Sequence, residues 1–313
     1  MTDGPDRRYH VDGEIVAAES ATVHVEDRGF RYGDAARETV RAYGGRVFRW
    51  DRHAERLARS CEALSIDHGL SDAELGDRID ETLAANDLTD AVCAVSITRG
   101  RPAGGPGRGE RAVDRFDPRV EGDPTVVVTA RPLPMGGVGS DPAFDAPATL
   151  QTVKTRKTSD RAVPADATTH ARVNEVLARL ELRVTGADEA LLLDADGHVA
   201  GGADSTLFFA DREGLKTPSL DGPVVPRVAR SEVIDVAEEE AIPVTEGSYT
   251  PSDVREADEV FLANATWEVR PVRAVDGIAV DGDGAGVAGP LTTLLSRLFD
   301  RRVETACYGD ERP

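Results

Sequence analysis

The stretch that decides the fold runs from Leu150 to Ala210 and reads LQTVKTRKTSDRAVPADATTHARVNEVLARLELRVTGADEALLLDADGHVAGGADSTLFFA. Its opening segment, Gln151–Arg156, predicts a polar strand. Apolar residues then recur at helical spacing over Arg172–Val184 and Gly186 follows, which predicts an amphipathic helix that ends at the glycine. The apolar stripe of this helix consists of Val173, Val176, Leu177, Leu180 and Leu182.

A strand and a turn follow the predicted helix. The continuous apolar run Ala190–Leu193 is typical of a buried strand, and Asp194–Gly197 contains the residues of a tight turn. We expect Ser205–Phe209 to return as the hairpin partner of the buried strand. The stretch therefore predicts a helix beside a sheet, with a hairpin at its C-terminal end.

The length and element order indicate two domains. A chain of 313 residues exceeds the usual size of a single domain. Strands and helices are mixed without strict alternation, which predicts the α+β class. We predict a small N-terminal α+β domain over residues 1–135, a linker over 136–145 and a larger C-terminal domain over 146–313.

The composition limits the partners and the compartment. Acidic residues number 57 against 37 basic ones, the net charge is −20, and the lysines are Lys154, Lys157 and Lys216. Such a surface stays hydrated in strong salt, so we interpret the chain as a halophilic, cytoplasmic protein. Its field disfavours nucleic acid and anionic membranes as partners. We see no run near the roughly 20 apolar residues of a membrane span, and no secretion signal.

Many fragments of the chain, in order, resemble those of the fold-type IV pyridoxal-phosphate enzymes, the class IV aminotransferases. The fragments are RRYHVDGEIV, DRGFRYGDAARETVRAYGGRVFRWDRHAERLARSCEAL, VSITRG, VNEVLARLEL, GADEALLLD, LDGPVVPRVAR, IPV, ADEVFL and EVRPV. This family contains branched-chain and D-amino-acid aminotransferases and aminodeoxychorismate lyases. The resemblance implies a two-domain architecture with the active-site cleft between the domains, pyridoxal 5'-phosphate as cofactor and a homodimer.

Pyridoxal phosphate requires a lysine for its aldehyde, a carboxylate for its pyridine nitrogen and donors for its phosphate. The resemblance implies that the C-terminal domain holds most of this site. The residues that match the phosphate and pocket positions of the family are Arg56, Tyr32, Arg227, Val228, Ala229, Asn264 and Ala265. Two hydroxyl residues of the family's phosphate cup are absent, because Ala229 and Ala265 stand in their places.

Two further departures concern the chemistry itself. The resemblance places Thr168 at the position of the family lysine, and threonine cannot form an imine. It places Gly201 at the position of the pyridine-facing glutamate. Lys154 and Lys157 precede Thr168 by 14 and 11 residues and are the candidates for a substitute amine, although a strand-end cation on an acidic surface is the alternative. His170 is a further pocket candidate, and we find no metal-ligand spacing.

These observations leave more than one function open. The resemblance implies a pyridoxal-phosphate-dependent aminotransferase acting on an amino acid and a 2-oxo acid, or an aminodeoxychorismate lyase. The alternative is a catalytically silent homologue that binds a small anion or the cofactor without an imine, or that is the partner of an active paralogue. A third hypothesis is an enzyme without the cofactor that uses Arg37, Arg56 and His170.

Overall fold

A computed structural model describes residues 7–102, 117, 122–134, 142–280 and 288–309 of the chain. The described residues form two compact units. Unit 1 contains those up to Pro132 together with Ala167–Ala171, and unit 2 contains those of Leu133–Asp166 and from Arg172 onward. Helices and strands are mixed in both units, so the predicted α+β class is confirmed. The domain boundaries stay a prediction, since residues 136–141 of the proposed linker lie outside the described ranges.

Unit 1 is organised by an antiparallel sheet in the order β2-β1-β6-β5-β3-β4. The buried positions on one face of this sheet pack against two helices, α2 and α3, with Leu57, Leu75 and Ile79 in the core. The elements are β1 Arg8–Val11, β2 Glu14–Ala17, α1 Arg28–Tyr32, β3 Ala35–Tyr43, β4 Arg46–Val47, α2 Trp50–Leu64, α3 Asp72–Ala85, β5 Ala91–Thr98 and β6 Val126–Pro132.

Helix α3 begins at a sequence that caps a helix well. The Ser71 hydroxyl accepts from the Glu74 N–H, and the Glu74 carboxylate accepts from the Ser71 N–H, which is a capping box at the start of α3. The inner face of α2 is different, because it buries polar as well as apolar side chains. That buried polar face belongs to the candidate site of unit 1.

Unit 2 contains a mixed sheet in the order β12-β11-β10-β13-β14-β7-β8-β9, with β15 paired to β14. Strands β14, β7 and β8 run parallel to one another, as do β11 and β12. The elements are β7 Ala148–Arg156, α4 Val173–Glu181, β8 Glu189–Leu193, β9 Val199–Gly202, β10 Thr206–Asp211, β11 Gly214–Pro218, α5 Val228–Glu239, β12 Val244–Gly247, α6 Pro251–Arg255, β13 Glu259–Asn264, β14 Glu268–Val275, β15 Ile278–Ala279 and α7 Pro290–Val303.

The predicted hairpin is corrected in one respect. Strand β8 is buried and its turn lies at Asp194–Gly197, but its hairpin partner is β9, Val199–Gly202. The predicted partner, Ser205–Phe209, lies largely in β10, which pairs with β11 and β13. Two glycines give β9 a weak strand signal, which explains the wrong assignment.

Helix α4 is shorter than the prediction, and its apolar stripe is only partly buried. Ala178 and Leu182 face the unit, whereas Val173, Val176, Leu177 and Leu180 are exposed. Within the described residues, no helix combines the length and apolar character that a membrane crossing requires.

Candidate functional site

Unit 1 contains a candidate site of its own, which is a buried ion network. The Arg56 guanidinium on α2 places Nη2 at 3.0 Å and 2.9 Å from the two carboxylate oxygens of Glu38 on β3. Its Nη1 donates a hydrogen bond to Thr168 Oγ1 at 2.5 Å. The Glu38 carboxylate is fully buried, and Arg56 is nearly so. The arginine is therefore held between a buried carboxylate and a hydroxyl.

His53 completes this network on the other side of the carboxylate. Its Nδ1 lies 2.6 Å from Glu38 Oε1, and its side chain is buried. Burial acts to raise the pKa of Glu38, but the charge of Arg56 and the hydrogen bond with His53 outweigh it and hold that pKa below its usual value. Glu38 is therefore an ionised carboxylate inside the protein at neutral pH.

The backbone of Thr168 is fixed within the same unit. Its N–H donates to Ser60 Oγ at 3.0 Å, and its carbonyl accepts from the Arg37 N–H at 2.9 Å. The neighbouring Thr169 forms an antiparallel bridge with Ala36. The short segment Ala167–Ala171 is thus hydrogen-bonded to both α2 and β3.

His170 and Tyr32, the other predicted site residues of unit 1, contact residues outside the buried ion network. The His170 side chain is exposed, with Nε2 at 2.9 Å from Ser96 Oγ. Tyr32 ends α1, and its ring is covered by the guanidinium groups of Arg28 and Arg31 at 5.5 and 5.1 Å. Both residues remain predictions as pocket groups.

Glu38, His53 and Ser60 belong to this network, although neither the sequence pattern nor the resemblance indicated them. A signal for them is present, because His53, Arg56 and Ser60 recur at spacings of three and four and so share one face of α2. A buried helix face with these polar residues requires polar partners. The strand of Glu38 is recognisable from the sequence, but its position beside α2 is not, because this packing depends on the fold.

Unit 2 contains a separate candidate site, which is a chain of ion pairs. Lys157 Nζ lies 2.7 Å from Glu175 Oε1, and Arg172 Nε lies 3.3 Å from the other oxygen of Glu175. Arg172 Nη2 and Arg227 Nη2 both approach Asp204 Oδ1, at 3.3 and 3.6 Å. We call these five residues the ion chain. It contains three cations and two carboxylates, so it is net positive in a protein whose net charge is −20.

The three lysines differ in environment. The Lys157 side chain is 11% exposed; burial is the main influence on its pKa and lowers it, while the charge of Glu175 opposes this effect. Lys216 is bound by Asp211 and Glu213 at 2.6 and 2.8 Å, and these hydrogen bonds raise its pKa. Lys154 is exposed.

Arg227 and the next two residues open helix α5. Arg227 is the N-cap and its side chain makes no capping hydrogen bond. The N–H groups of Val228 and Ala229 belong to the first turn, where a helix offers no internal acceptor, and both residues are buried. The positive end of the helix dipole coincides here with the Arg227 end of the ion chain.

The second predicted cup segment is a turn held by its own asparagine. Asn264 Oδ1 accepts from the N–H groups of Thr266 and Trp267 at 2.9 and 2.7 Å, and its amide donates to the Asp204 carbonyl. Ala265 lies inside this turn. The asparagine side chain therefore shapes the loop, and its hydrogen bonds go to the protein.

Gly201 lies in β9 with a backbone φ of +116°. A Cβ built there would meet the Ser205 carbonyl oxygen at 3.2 Å. The buried carboxylate of this hairpin belongs instead to Glu189, which accepts from the N–H groups of Ala190 and Ala203 and pairs with Arg179. Burial raises the pKa of Glu189. The backbone at Gly201 thus disfavours any side chain at the position.

No cluster of three or more metal-ligating side chains occurs within residues 7–102, 117, 122–134, 142–280 and 288–309.

Comparisons with known proteins agree with this architecture. The sequence profile of the family "Amino-transferase class IV" matches residues 35–275. A Methanocaldococcus jannaschii protein named provisionally as a branched-chain-amino-acid aminotransferase is 34% identical, over 89% of this chain and 91% of its own length. A D-alanine aminotransferase of Listeria monocytogenes is 29% identical, over 95% of this chain and 96% of its own.

Solved structures show the same fold. The T.th. branched-chain amino acid aminotransferase, solved with pyridoxamine 5'-phosphate, has a TM-score of 0.82 at 26% identity and covers 98% of this chain and 96% of its own. The Escherichia coli branched-chain amino acid aminotransferase has a TM-score of 0.79 at 26% identity, over 93% and 92%. The fold is that of the fold-type IV pyridoxal-phosphate aminotransferases. This chain belongs to the class IV aminotransferase family.

Proposed function

We propose that this chain is a silent member of its family: a small-anion-binding homologue that does not form the imine on which the catalytic members depend. The observation that carries the proposal is the hydrogen bond from Arg56 to Thr168. The resemblance assigns the imine-forming amine to position 168, and this chain uses that position to hold a buried arginine. The side chain of Thr168 carries a hydroxyl and no amine, so it cannot form an imine with an aldehyde.

The other residues at the matching positions do not fit a covalently held pyridoxal phosphate either. Gly201 offers no carboxylate for a pyridine nitrogen, and its φ of +116° does not accommodate one. Arg56, the matching phosphate ligand, is already bound to Glu38 and Thr168. The carboxylate requirement of the cofactor chemistry therefore fails in addition to the lysine, and Arg56 offers fewer free donors to a phosphate.

The ion chain of unit 2 supports the binding of a small anion. The ion chain has three cations, Lys157, Arg172 and Arg227, against two carboxylates, and the first-turn N–H groups of α5 lie beside Arg227. Backbone donors and an arginine together bind phosphate or carboxylate groups well. We therefore infer that the occupant is a phosphate ester or a carboxylate such as a 2-oxo acid.

One observation favours a second candidate, a residual enzyme that uses Lys157. Its amine is nearly buried, and burial lowers its pKa, which is what a nucleophilic lysine requires. Its ion pair with Glu175 acts against this role, because the carboxylate holds the amine in the charged form.

The test uses the purified full chain. After incubation with pyridoxal phosphate and borohydride, we expect no lysine adduct on the peptides of Lys154, Lys157 or Lys216. Calorimetric titration with inorganic phosphate and with 2-oxoglutarate should detect binding of at least one of them, which Arg227→Ala weakens at least fivefold and exposed Arg59→Ala leaves unchanged. An adduct on the Lys157 peptide would replace the proposal with the second candidate, and absence of anion binding would overturn it.

A further inference from the structure

Two helices of unit 2 begin at residues of the ion chain. Arg172 is the N-cap of α4 and Arg227 is the N-cap of α5, and neither side chain makes a capping hydrogen bond. The first-turn N–H groups of a helix have no acceptor inside the helix, and they form the positive end of its dipole. The positive ends of two helices therefore add to the charges of the two arginines.

The Asp204 carboxylate lies between these two arginines. Its Oδ1 is 3.3 Å from Arg172 Nη2 and 3.6 Å from Arg227 Nη2. Both distances are long, because hydrogen bonds between charged groups usually measure about 2.7–2.9 Å. The Asp204 side chain is also 52% exposed. The carboxylate is therefore held weakly, at a position that the two arginines share.

The backbone around Asp204 is fixed independently of the carboxylate. The Asp204 carbonyl accepts from the Asn264 amide at 3.1 Å. The neighbouring Ala203 carbonyl accepts from Arg172 Nη2 at 3.2 Å, and the Ala203 N–H donates to Glu189 Oε1. Rotation about the side-chain bonds of Asp204 can therefore turn the carboxylate into solvent while these backbone hydrogen bonds stay intact.

Glu175, the other carboxylate of the ion chain, is held much more tightly. Its Oε1 lies 2.7 Å from Lys157 Nζ, and its side chain is 14% exposed. Burial acts to raise the pKa of Glu175, but the charge and hydrogen bond of Lys157 outweigh it and hold that pKa below its usual value. Of the two carboxylates, Asp204 is thus the one that a ligand can replace.

We propose that Asp204 is an internal competitor of the anion site: its carboxylate occupies the position between Arg172 and Arg227 until a small, doubly charged oxyanion displaces it. The proposal rests on the proposed function, since it concerns the same site. It adds the charge class of the ligand and the residue that limits its access.

The charges of the site explain why the ligand must be doubly charged. With the Asp204 carboxylate turned away, the three cations of the ion chain face Glu175 alone, which leaves two net positive charges. At one position in this field, a dianion is stabilised about twice as strongly as a monoanion. A monoanion replaces one charge by an equal one and also loses translational freedom, so it gains too little to displace the carboxylate.

The position of the arginines explains why the ligand must be compact. Arg172 and Arg227 both approach the same oxygen of Asp204, so their charges are concentrated around one point. A tetrahedral oxyanion presents both of its charges at such a point and offers several acceptors to arginines and helix N–H groups.

Calorimetric titration of the full chain with methyl phosphate and with dimethyl phosphate tests the proposal. At about pH 8 methyl phosphate carries two charges, since its second pKa is near 6, whereas dimethyl phosphate carries one. We expect the unaltered protein to bind methyl phosphate at least tenfold more tightly than dimethyl phosphate. Asp204→Asn keeps the size of the side chain and removes its charge, so both ligands should bind at least fivefold more tightly to this variant.

The matched control is Asp258→Asn, which removes an exposed carboxylate of unit 2 outside the ion chain. It makes the same change in net charge and should leave both affinities as they are in the unaltered protein. Circular dichroism checks that each variant is folded.

The two ligands together distinguish displacement from repulsion. A competitor weakens every ligand by the same factor, so both affinities should rise alike in Asp204→Asn. A carboxylate that stays in place repels a dianion about twice as strongly as a monoanion, so a much larger gain for methyl phosphate would overturn the proposal. Weaker binding by Asp204→Asn would also overturn it, because the carboxylate would then position the arginines. If neither ligand binds to any of the proteins, the anion site itself is absent and the proposed function fails as well.

Discussion

Arg56 and Thr168 are joined by a hydrogen bond of 2.5 Å between the guanidinium Nη1 and the hydroxyl Oγ1. The same guanidinium is paired with buried Glu38, so the threonine supplies a second partner to a cation that is inside the protein. A lysine at position 168 would either point away from Arg56, which loses this contact, or place a second positive charge beside the guanidinium. Thr168 departs from the family pattern, and it also contributes hydrogen bonds that stabilise unit 1.

The first prediction concerns the hydroxyl of Thr168. Thr168→Val keeps the shape of the side chain and removes the acceptor, so we expect a loss of about 1.5 kcal/mol of unfolding free energy, the lower range for a hydrogen bond to a charged group. Urea denaturation measures the change. Thr168→Ser retains the acceptor and should lose clearly less. Equal losses in the two variants would show that the methyl group, and not the hydroxyl, matters.

The second prediction concerns Glu38. Its pKa lies below the usual value, so the stability that it contributes is present above about pH 4.5, the unfolded-state pKa, and is lost as the pH falls through its folded-state pKa. Glu38→Gln leaves buried Arg56 without its carboxylate and should cost about 3–5 kcal/mol at neutral pH. The difference between the two proteins should shrink on acidification.

The control for Glu38 is Glu55→Gln. Glu55 forms an exposed ion pair with Arg59 on the same helix at 3.2 Å. Such pairs contribute little, so we expect a change below about 0.5 kcal/mol. Denaturation curves between pH 3 and pH 7 decide the matter: a constant gap between the unaltered protein and Glu38→Gln would contradict the linkage argument.

The fold was predictable where periodicity and resemblance agreed. The buried strand at Ala190–Leu193 and the turn at Asp194–Gly197 were readable because an apolar run meets turn residues there. The hairpin partner was not readable, because Gly201 and Gly202 obscure β9. Strand pairing is a long-range property, and composition alone does not decide which of two later segments forms the partner.

The candidate site was predictable only residue by residue. The resemblance indicated Arg56 and Thr168 separately, but it did not predict the hydrogen bond between them. Glu38 lies 18 residues before Arg56 and 130 before Thr168, and only folding brings the three together. The exposure of the apolar face of α4 was equally hidden, because periodicity shows that a helix has an apolar face without showing what that face contacts.

The third prediction concerns Gly201. An alanine there would be strained by the φ of +116° and would approach the Ser205 carbonyl, so we expect Gly201→Ala to cost about 1–3 kcal/mol. Gly222→Ala is the control, since a Cβ at that glycine meets nothing and its φ is not positive. Thermal unfolding compares the two. If both variants unfold alike, the backbone at Gly201 is not what excludes a side chain.

The same strain limits any attempt to restore the family pattern. Thr168→Lys with Gly201→Glu supplies an amine and a carboxylate, but the glutamate carries the full backbone cost at position 201. We expect the double variant to unfold at a lower temperature than Thr168→Lys alone. A double variant as stable as the single one would show that β9 can adopt a different backbone conformation.

The fourth prediction concerns the order in which the lysines react with an amine-specific acetylating reagent. Exposed Lys154 should react first, whereas Lys216 is held by two carboxylates and Lys157 is nearly buried in its ion pair. Because the Glu175 charge raises the pKa of Lys157 against the effect of burial, Glu175→Gln should lower that pKa further. A larger fraction of the amine is then neutral, so its acetylation at neutral pH should become faster.

The matched variant is Glu213→Gln, which removes one carboxylate from Lys216 and leaves Lys157 unchanged. Peptide mass spectrometry over a time course gives the three rates separately. Acceleration of Lys157 in Glu175→Gln alone would show that the ion chain keeps this amine charged, as a binding site for anions requires. Fast acetylation of Lys157 in the unaltered protein would mean that the amine is already neutral and accessible, which is the property that an imine-forming enzyme needs.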